Sequence, residues 1–311
     1  MKIFYHDDLD GRCAAYWVDC YLMDYGDMWY NKKNPEYFPM DYDKDFSLNE
    51  IKEDEWIFIV DYSIDPEVME KLLNITKEVI WIDHHKSAIE KYKNFNEEID
   101  GIRKDGIAAS ALSFIYFFNK KILKNIDKIK DYNDLVGEVP EFTLYISDFD
   151  TWHFNFKELS SYFITALDKL HDTSPLSDIW QNLENDEEYD GKDNFLLSEM
   201  LDIGVSLYNQ DIVKYNKEID KYSFESWFGN NKCLVMNISG NGKIGELARD
   251  RGYDLIFCYI FDGEKYNISL YSSDKIDSSK IAIKYGGGGH KGASGFRCNN
   301  LTFENKRIII E

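Results

Sequence analysis

The acids and histidines of this chain that could do chemistry stand in a few tight groups. His6-Asp7-Asp8-Leu9-Asp10-Gly11 lies near the start, Asp61 closes the run Trp56-Ile57-Phe58-Ile59-Val60, and Asp83-His84-His85 follows Val79-Ile80-Trp81-Ile82. A fourth group is Ser147-Asp148-Phe149-Asp150-Thr151-Trp152. Carboxylates and imidazoles are the oxygen and nitrogen ligands that suit borderline divalent ions such as Mn²⁺. One ion takes about four to six ligands, so five or more carboxylates with two or three imidazoles are enough for two. Two ions roughly 3.5–4 Å apart clamp a phosphoryl group and activate a water. Without cations, so many carboxylates would repel and raise one another's pKa. Taken singly, each group has an ordinary explanation. Asp8 and Asp10 with Gly11 could form a turn, Asp61 could cap a helix, His84-His85 could sit on the surface, and Asp148 and Asp150 could be turn residues. Together they predict a metal site, with the choices between Asp7 and Asp8 and between Asp148 and Asp150 open.

A second constellation is Gly286-Gly287-Gly288-Gly289-His290-Lys291-Gly292-Ala293-Ser294-Gly295. Consecutive glycines allow positive φ and let backbone N–H groups come close to a ligand, and such loops make anion-binding concavities. His290 and Lys291 add donors for phosphate. The apolar neighbours Ile281, Ile283, Ala293 and Phe296 argue for a packed element rather than a linker.

The elements that must position these residues follow from periodicity. Lys2–His6, Trp56–Asp61 and Glu78–Asp83 read as strands, the last two with continuous apolar interiors, as strands buried on both faces have. Residues 11–23, Pro66 to about Thr76, and Ala108–Phe118 read as helices, with Pro66 favoured in a first turn; residues 141–150 close the unit. The alternation implies an α/β fold with a parallel sheet and helices on both sides. Asp and His groups at strand C-terminal ends then converge on the crevice where such sheets bind ligands. From 156 to 230 the pattern is helical, with an acidic loop near Asn182–Asp193 and a long amphipathic helix over 195–222. Strands over Cys233–Ile238, Leu255–Phe261 and Tyr266–Tyr271 make a second, smaller α/β unit from 231 onward. The predicted organisation is therefore 1–155, a helical linker region 156–230, and 231–311.

A length of 311 residues favours two domains. With 36 Lys+Arg against 57 Asp+Glu, the net charge of −21 argues against binding long duplex nucleic acid. The charge is uneven: residues 231–311 hold 12 basic against 9 acidic side chains, so a phosphate-bearing ligand is best held there. Cys13, Cys20, Cys233, Cys258 and Cys298 are scattered and odd in number, as reduced thiols are. No membrane-spanning run and no signal peptide are legible, which predicts a soluble, cytoplasmic protein; a homodimer is left open.

These motifs resemble the DHH/DHHA1 phosphoesterases. Asp83-His84-His85 matches the DHH triplet, and His6–Gly11, Asp61 and Ser147–Trp152 match the other motifs of the DHH domain. The 286–296 stretch is similar to the glycine-rich signature of the DHHA1 domain. The resemblance covers about 1–155 and 231–300 and is strongest to the oligoribonuclease (nanoRNase) branch. It implies a centre of two divalent metal ions, Mn²⁺ by preference. His6, Asp8 and Asp61 would hold one ion and Asp10, Asp61, His84 and Asp150 the other. Asp83 would orient an imidazole, and His85 would contact the scissile phosphate or protonate the leaving oxygen. Gly286, Gly287, Gly288, Gly289, His290 and Lys291 would grip the nucleotide. The family often carries an Arg where this chain has Tyr271, within Ser269-Leu270-Tyr271-Ser272; Arg249 or Arg251 would compensate. The expected function is hydrolysis of short oligonucleotides to mononucleotides. The alternatives are a cyclic or linear dinucleotide phosphodiesterase, a nucleotide 3′-phosphatase, or a non-catalytic nucleotide binder.

Overall fold

The computed structural model describes residues 1–24, 34–41, 46–188 and 195–310. They form two compact units, Met1–Tyr208 and Asn209–Glu311.

The first unit is built on β1 (Lys2–His6), β2 (Glu36–Met40), β3 (Ile57–Val60), β4 (Val79–Asp83) and β5 (Asp100–Arg103), in the order β2-β1-β3-β4-β5. All neighbours are parallel, so the C-terminal ends of β1, β3 and β4 share one edge. β2, interrupted by Pro39, and β5, with Gly101 between charged ends, were not legible in the sequence. Helices α1 (Leu9–Asp24), α2 (Pro66–Ile75), α3 (Lys86–Lys91), α4 (Ala109–Phe118), α5 (Lys120–Leu123) and α6 (Glu141–Asp150) surround the sheet. On one face Ile3, Phe58, Val60, Ile80 and Ile82 meet Ala14, Ala15 and Val18 of α1 and Leu112 and Ile115 of α4. On the other, Phe4, Ile57, Ile59 and Trp81 meet Met69, Leu72 and Leu73 of α2. Helices on both faces are the arrangement that the continuous apolar strands predict.

The segment read as a helical linker is divided. α7 (Glu158–Leu170), α8 (Asp178–Glu188) and the first half of α9 (Phe195–Tyr222) belong to the first unit. There Phe163, Leu167, Trp180, Leu183 and Met200 enclose Cys13, Tyr16 and Trp17 on the back of α1. α1 is thus buried on two sides, by the sheet and by a helical layer. Of the expected acidic loop near Asn182–Asp193, residues 182–188 are helix, and 189–193 lies outside the described residues.

The second unit is a mixed sheet of β6 (Ser223–Phe228), β7 (Asn231–Met236), β8 (Leu255–Phe261), β9 (Tyr266–Ser272), β10 (Gly288–Gly289), β11 (Ala293–Cys298), β12 (Leu301–Glu304) and β13 (Arg307–Ile310). The order is β10-β11-β9-β8-β7-β6-β13-β12. It carries α10 (Gly242–Asp250) and α11 (Ser278–Lys284). α11 buries Ala282 against Val235, Phe257 and Phe296. Among the described residues no helix is long and apolar enough to cross a membrane. All five cysteines are free thiols.

Close approach of α1 to β1 fixes the first acidic motif. A Cβ at Gly11 would lie 2.1 Å from the carbonyl oxygen of His6, a backbone contact that no rotamer change relieves. Gly11→Ala should therefore destabilise the fold by roughly 1–3 kcal/mol or more, as overpacking does; an unchanged urea midpoint would contradict this packing.

Candidate metal centre

Each member of the first constellation is set by its element. Asp8 stands one residue before α1 and its Oδ1 accepts the Gly11 amide at 3.0 Å, as an N-cap does. Its Oδ2 lies 2.8 Å from His6 Nδ1. Asp7 turns away and pairs with Arg12, Oδ1 lying 3.0 Å from Nε and 2.9 Å from Nη2. Of the two, Asp8 is the carboxylate that groups with His6 and Asp61. Asp10 is 2% exposed and reaches the N-terminus of α4. It accepts the Ala109 amide at 2.8 Å, the Ser110 amide at 2.9 Å and the Ser110 hydroxyl at 2.5 Å. This partnership had no sequence signal beyond the start of the Ala108-Ala109-Ser110 helix.

Asp61 follows β3 with a φ of 54°. A non-glycine residue in the left-handed region costs about 1–3 kcal/mol and is held only when its surroundings demand it. Here it brings the carboxylate among three imidazoles, at 3.1 Å from His84 Nε2, 3.6 Å from His6 Nδ1 and 3.8 Å from His85 Nδ1. His84 Nε2 also lies 3.3 Å from Asp150 and 3.8 Å from Asp10. Asp150 comes from the C-terminal end of α6, not from a strand end as the other groups do. Asp148 is committed elsewhere. It is fully buried and accepts the Asn155 amide at 2.7 Å, the Asn155 side chain at 3.1 Å, the Phe156 amide at 3.3 Å and the Ser160 hydroxyl at 2.6 Å. Asp83 binds the two histidines behind it. Its Oδ1 accepts the His84 amide at 2.7 Å, the His85 amide at 3.1 Å and His85 Nδ1 at 2.8 Å.

Among the described residues, ligand atoms within 4.8 Å of one another form three groups: His6, Asp8 and Asp61; Asp10, His84 and Asp150; and Asp61, His84 and His85. The donor set fits cations. Asp150 Oδ2 is buried and accepts no hydrogen bond among the described residues. An imidazole N–H can satisfy only one of the carboxylates ringed about His84 Nε2. Protons stand in for positive charge in this arrangement. Burial opposes charge on His6, but hydrogen bonds to Asp61 and Asp8 outweigh it and push its pKa up to about 11. Burial, then the neighbouring Asp10 and Asp8, push Asp61 well above the carboxylate range. Burial does the same to Asp150, against the pull of His84.

In the second unit the glycine-rich segment turns at Gly286 and enters β10, which pairs with β11. The amides of Gly286, Gly287 and His290 donate to Ile283, Ala282 and Ala293 within the unit. A Cβ at Gly287 would lie 2.0 Å from the Gly295 carbonyl oxygen, whereas Gly288 has nothing within 4 Å. Close packing therefore accounts for part of the glycine run, and its amides are largely spent, contrary to the open concavity expected. Tyr271, where the family often has Arg, is buried under α10: a Cβ on Gly245 would meet its ring at 2.4 Å. Arg249 Nη1 donates to the Ser272 carbonyl at 3.2 Å, and Lys291 Nζ lies 3.8 Å from Asp274.

The ring of carboxylates and imidazoles thus lies at the strand ends of a parallel α/β sheet. The chain shares the fold of a solved DHH domain described as a member of the s1p family of ribosomal proteins, with a TM-score of 0.52, 14% identity, and coverage of 94% of this chain and 81% of that one. No protein-family model matches it. In sequence it is 26% identical over 267 residues to oligoribonuclease NrnB of Bacillus subtilis, covering 80% of this chain and 60% of that protein. It is 22% identical over 259 residues to the uncharacterized protein R106 of Acanthamoeba polyphaga mimivirus, covering 79% of this chain and 53% of that protein. The chain thus spans little more than half the length of these curated relatives, and it resembles the DHH phosphoesterases near the oligoribonuclease branch.

The protonation pattern has a measurable consequence in metal-free protein. A His6 pKa raised from 6.5 to about 11 stabilises the fold fully below 6.5 and loses that contribution as pH rises through 11. The raised Asp61 and Asp150 act with the same sign. In the presence of chelator, Tm should fall as pH is raised from about 7 to about 10, and saturating Mn²⁺ should raise Tm and flatten the slope. A metal-independent profile would contradict a cation site.

Proposed function

We propose that the chain is a divalent-metal-dependent phosphodiesterase that hydrolyses short oligonucleotides to mononucleotides. The observation that carries this reading is the convergence of His6, Asp8, Asp10, Asp61, His84 and Asp150 at one edge of the first sheet. His6, Asp8 and Asp61 would hold one ion; Asp10, Asp61, His84 and Asp150 would hold a second, with Asp61 shared. Mn²⁺ suits the mixed nitrogen and oxygen donors. Two such ions supply an activated water and neutralise charge on the phosphoryl oxygens.

The chain's own residues do the rest. Asp10 is held by the α4 amides and Asp8 by the Gly11 amide, so both carboxylates are placed before substrate arrives. Asp83 fixes His85 through Nδ1, which makes Nε2 the nitrogen that serves substrate. Burial opposes protonation of His85, but Asp83 raises its pKa, so the imidazolium can donate a proton to the leaving oxygen. In the second unit His290, Lys291 and Arg249 are the proposed contacts to the rest of the nucleotide, with the Gly286–Gly289 turn shaping the backbone beside them. The oligoribonuclease among the sequence relatives supports the substrate class.

Incubation with Mn²⁺ and a 5′-labelled RNA of two to four residues, a cyclic dinucleotide and pyrophosphate tests the reading. Mononucleotide release from the short RNA is expected. Tight binding without turnover of any of them would instead identify a nucleotide binder. Replacing Asp83, His84 and His85 together by Ala should abolish turnover. His85→Asn alone should lower kcat by roughly 10²–10⁴ with bound metal retained; loss of the metal with it would move His85 into the ligand set.

A further inference from the structure

The chain just beyond Asp150 adopts a conformation that bulky residues avoid. Trp152, Phe154 and Lys157 have φ of 58°, 51° and 55°, three left-handed non-glycine residues within six positions. This region strongly disfavours large side chains, so something must hold them there. The holding group is Asp148. Fully buried, it takes the amides of Asn155 and Phe156, the Asn155 side chain and the Ser160 hydroxyl. Thr151 is tied in as well, its hydroxyl donating to the Ser147 carbonyl at 2.8 Å. A buried carboxylate with four donors is thus spent on the shape of one short turn.

What the turn presents is aromatic. Phe154 meets Trp152 edge-on, at 5.8 Å between ring centres and 78°, and Phe149 at 6.2 Å and 90°. Phe149 is 36% exposed, and Trp152 and Phe154 are half-buried. Trp152 follows the proposed ligand Asp150 by two residues, so their Cα atoms are at most about 7.6 Å apart. That is the scale separating a phosphate from its own base. A simple apolar plug would need neither the strained backbone nor a place beside the carboxylate ring.

We infer that Phe149, Trp152 and Phe154 form a base-stacking platform of the catalytic unit, on which the nucleobase next to the scissile phosphate lies against Trp152. Asp148 is the positioning residue that sets the platform's geometry. The inference rests on the nucleotide reading given above and deepens it. Stacking accepts any base because every base has a π face, so the platform selects for a base without selecting which one.

The test compares a dinucleotide with an analogue of equal charge that lacks the base beside the scissile phosphate, using full-length protein and Mn²⁺. Trp152→Ala should reduce the ratio of kcat/KM between the two substrates roughly tenfold or more, through KM of the dinucleotide. Trp152→Phe should keep most of the ratio, and Trp152→Leu, which fills space without a ring, should lose it. An equal ratio in wild type, Leu and Phe variants overturns the platform, even if Trp152→Ala does not fold. Titration of the Mn²⁺ protein with adenosine monophosphate supplies a readout independent of turnover: tryptophan fluorescence should be quenched, and much less so in Trp152→Phe. A wild type that hydrolyses neither substrate sinks the phosphodiesterase reading alone, while equal quenching in wild type and Trp152→Phe sinks the platform alone.

Discussion

Mutual repulsion of carboxylates is the constraint around which the first unit is arranged. Asp8, Asp10, Asp61 and Asp150 lie within reach of the same few imidazole nitrogens. Two like charges 4 Å apart cost about 4 kcal/mol near a protein surface, and more where water is excluded. The fold meets this cost by giving each carboxylate a different compensation. Asp10 draws on the amides at the start of α4, Asp8 on the Gly11 amide and His6, and Asp61 on its imidazole neighbours. Asp150 has the least internal compensation, its Oδ2 accepting no hydrogen bond among the described residues.

The same residue type serves two trades in one motif. Asp148 and Asp150 are separated by a single residue of α6 and differ in every partner. One is saturated by backbone and hydroxyl donors; the other faces His84. Asp7 and Asp8 divide in the same way, between the Arg12 guanidinium and the His6 imidazole. Asp83 is an intermediate case, an acid whose work is to hold the turn that carries His84 and His85. Adjacent acids are thus sorted by which side of the helix or turn faces the sheet edge.

Much of the first unit was legible because a parallel sheet buried on both faces leaves a plain mark: apolar runs at β3 and β4, each closed by an acid. β2 and β5 left no such mark: edge strands of four or five residues bury little, Pro39 interrupts β2, and β5 has a single buried apolar residue, Ile102. The carboxylate ring was legible as a set, whereas the partition between Asp7 and Asp8, or Asp148 and Asp150, depends on helical phase to within one residue. The glycine run misled in part. Gly287 and Gly289 are small because β11 lies against them, and close backbone contact selects glycine as firmly as a bound anion would. The acidic stretch 182–188 is helix for a related reason: Leu183 is anchored in the core, and one buried side chain outweighs the polarity around it.

The double burial of α1 bears on how the protein can be divided. Its N-terminal turn carries Asp8 and Asp10, while Cys13, Tyr16 and Trp17 insert into the layer formed by α7, α8 and α9. A fragment stopped at 155 would strip that layer away and lay a tryptophan, a tyrosine and the apolar side of α6 open to water. The minimal piece that keeps the acidic edge intact extends to about Tyr208, where the first unit ends. Substitutions around Trp180 or Met200, outside the carboxylate ring, then act as levers on ligand spacing, and variation in this helical layer offers a route by which related chains could retune one centre without altering its acids.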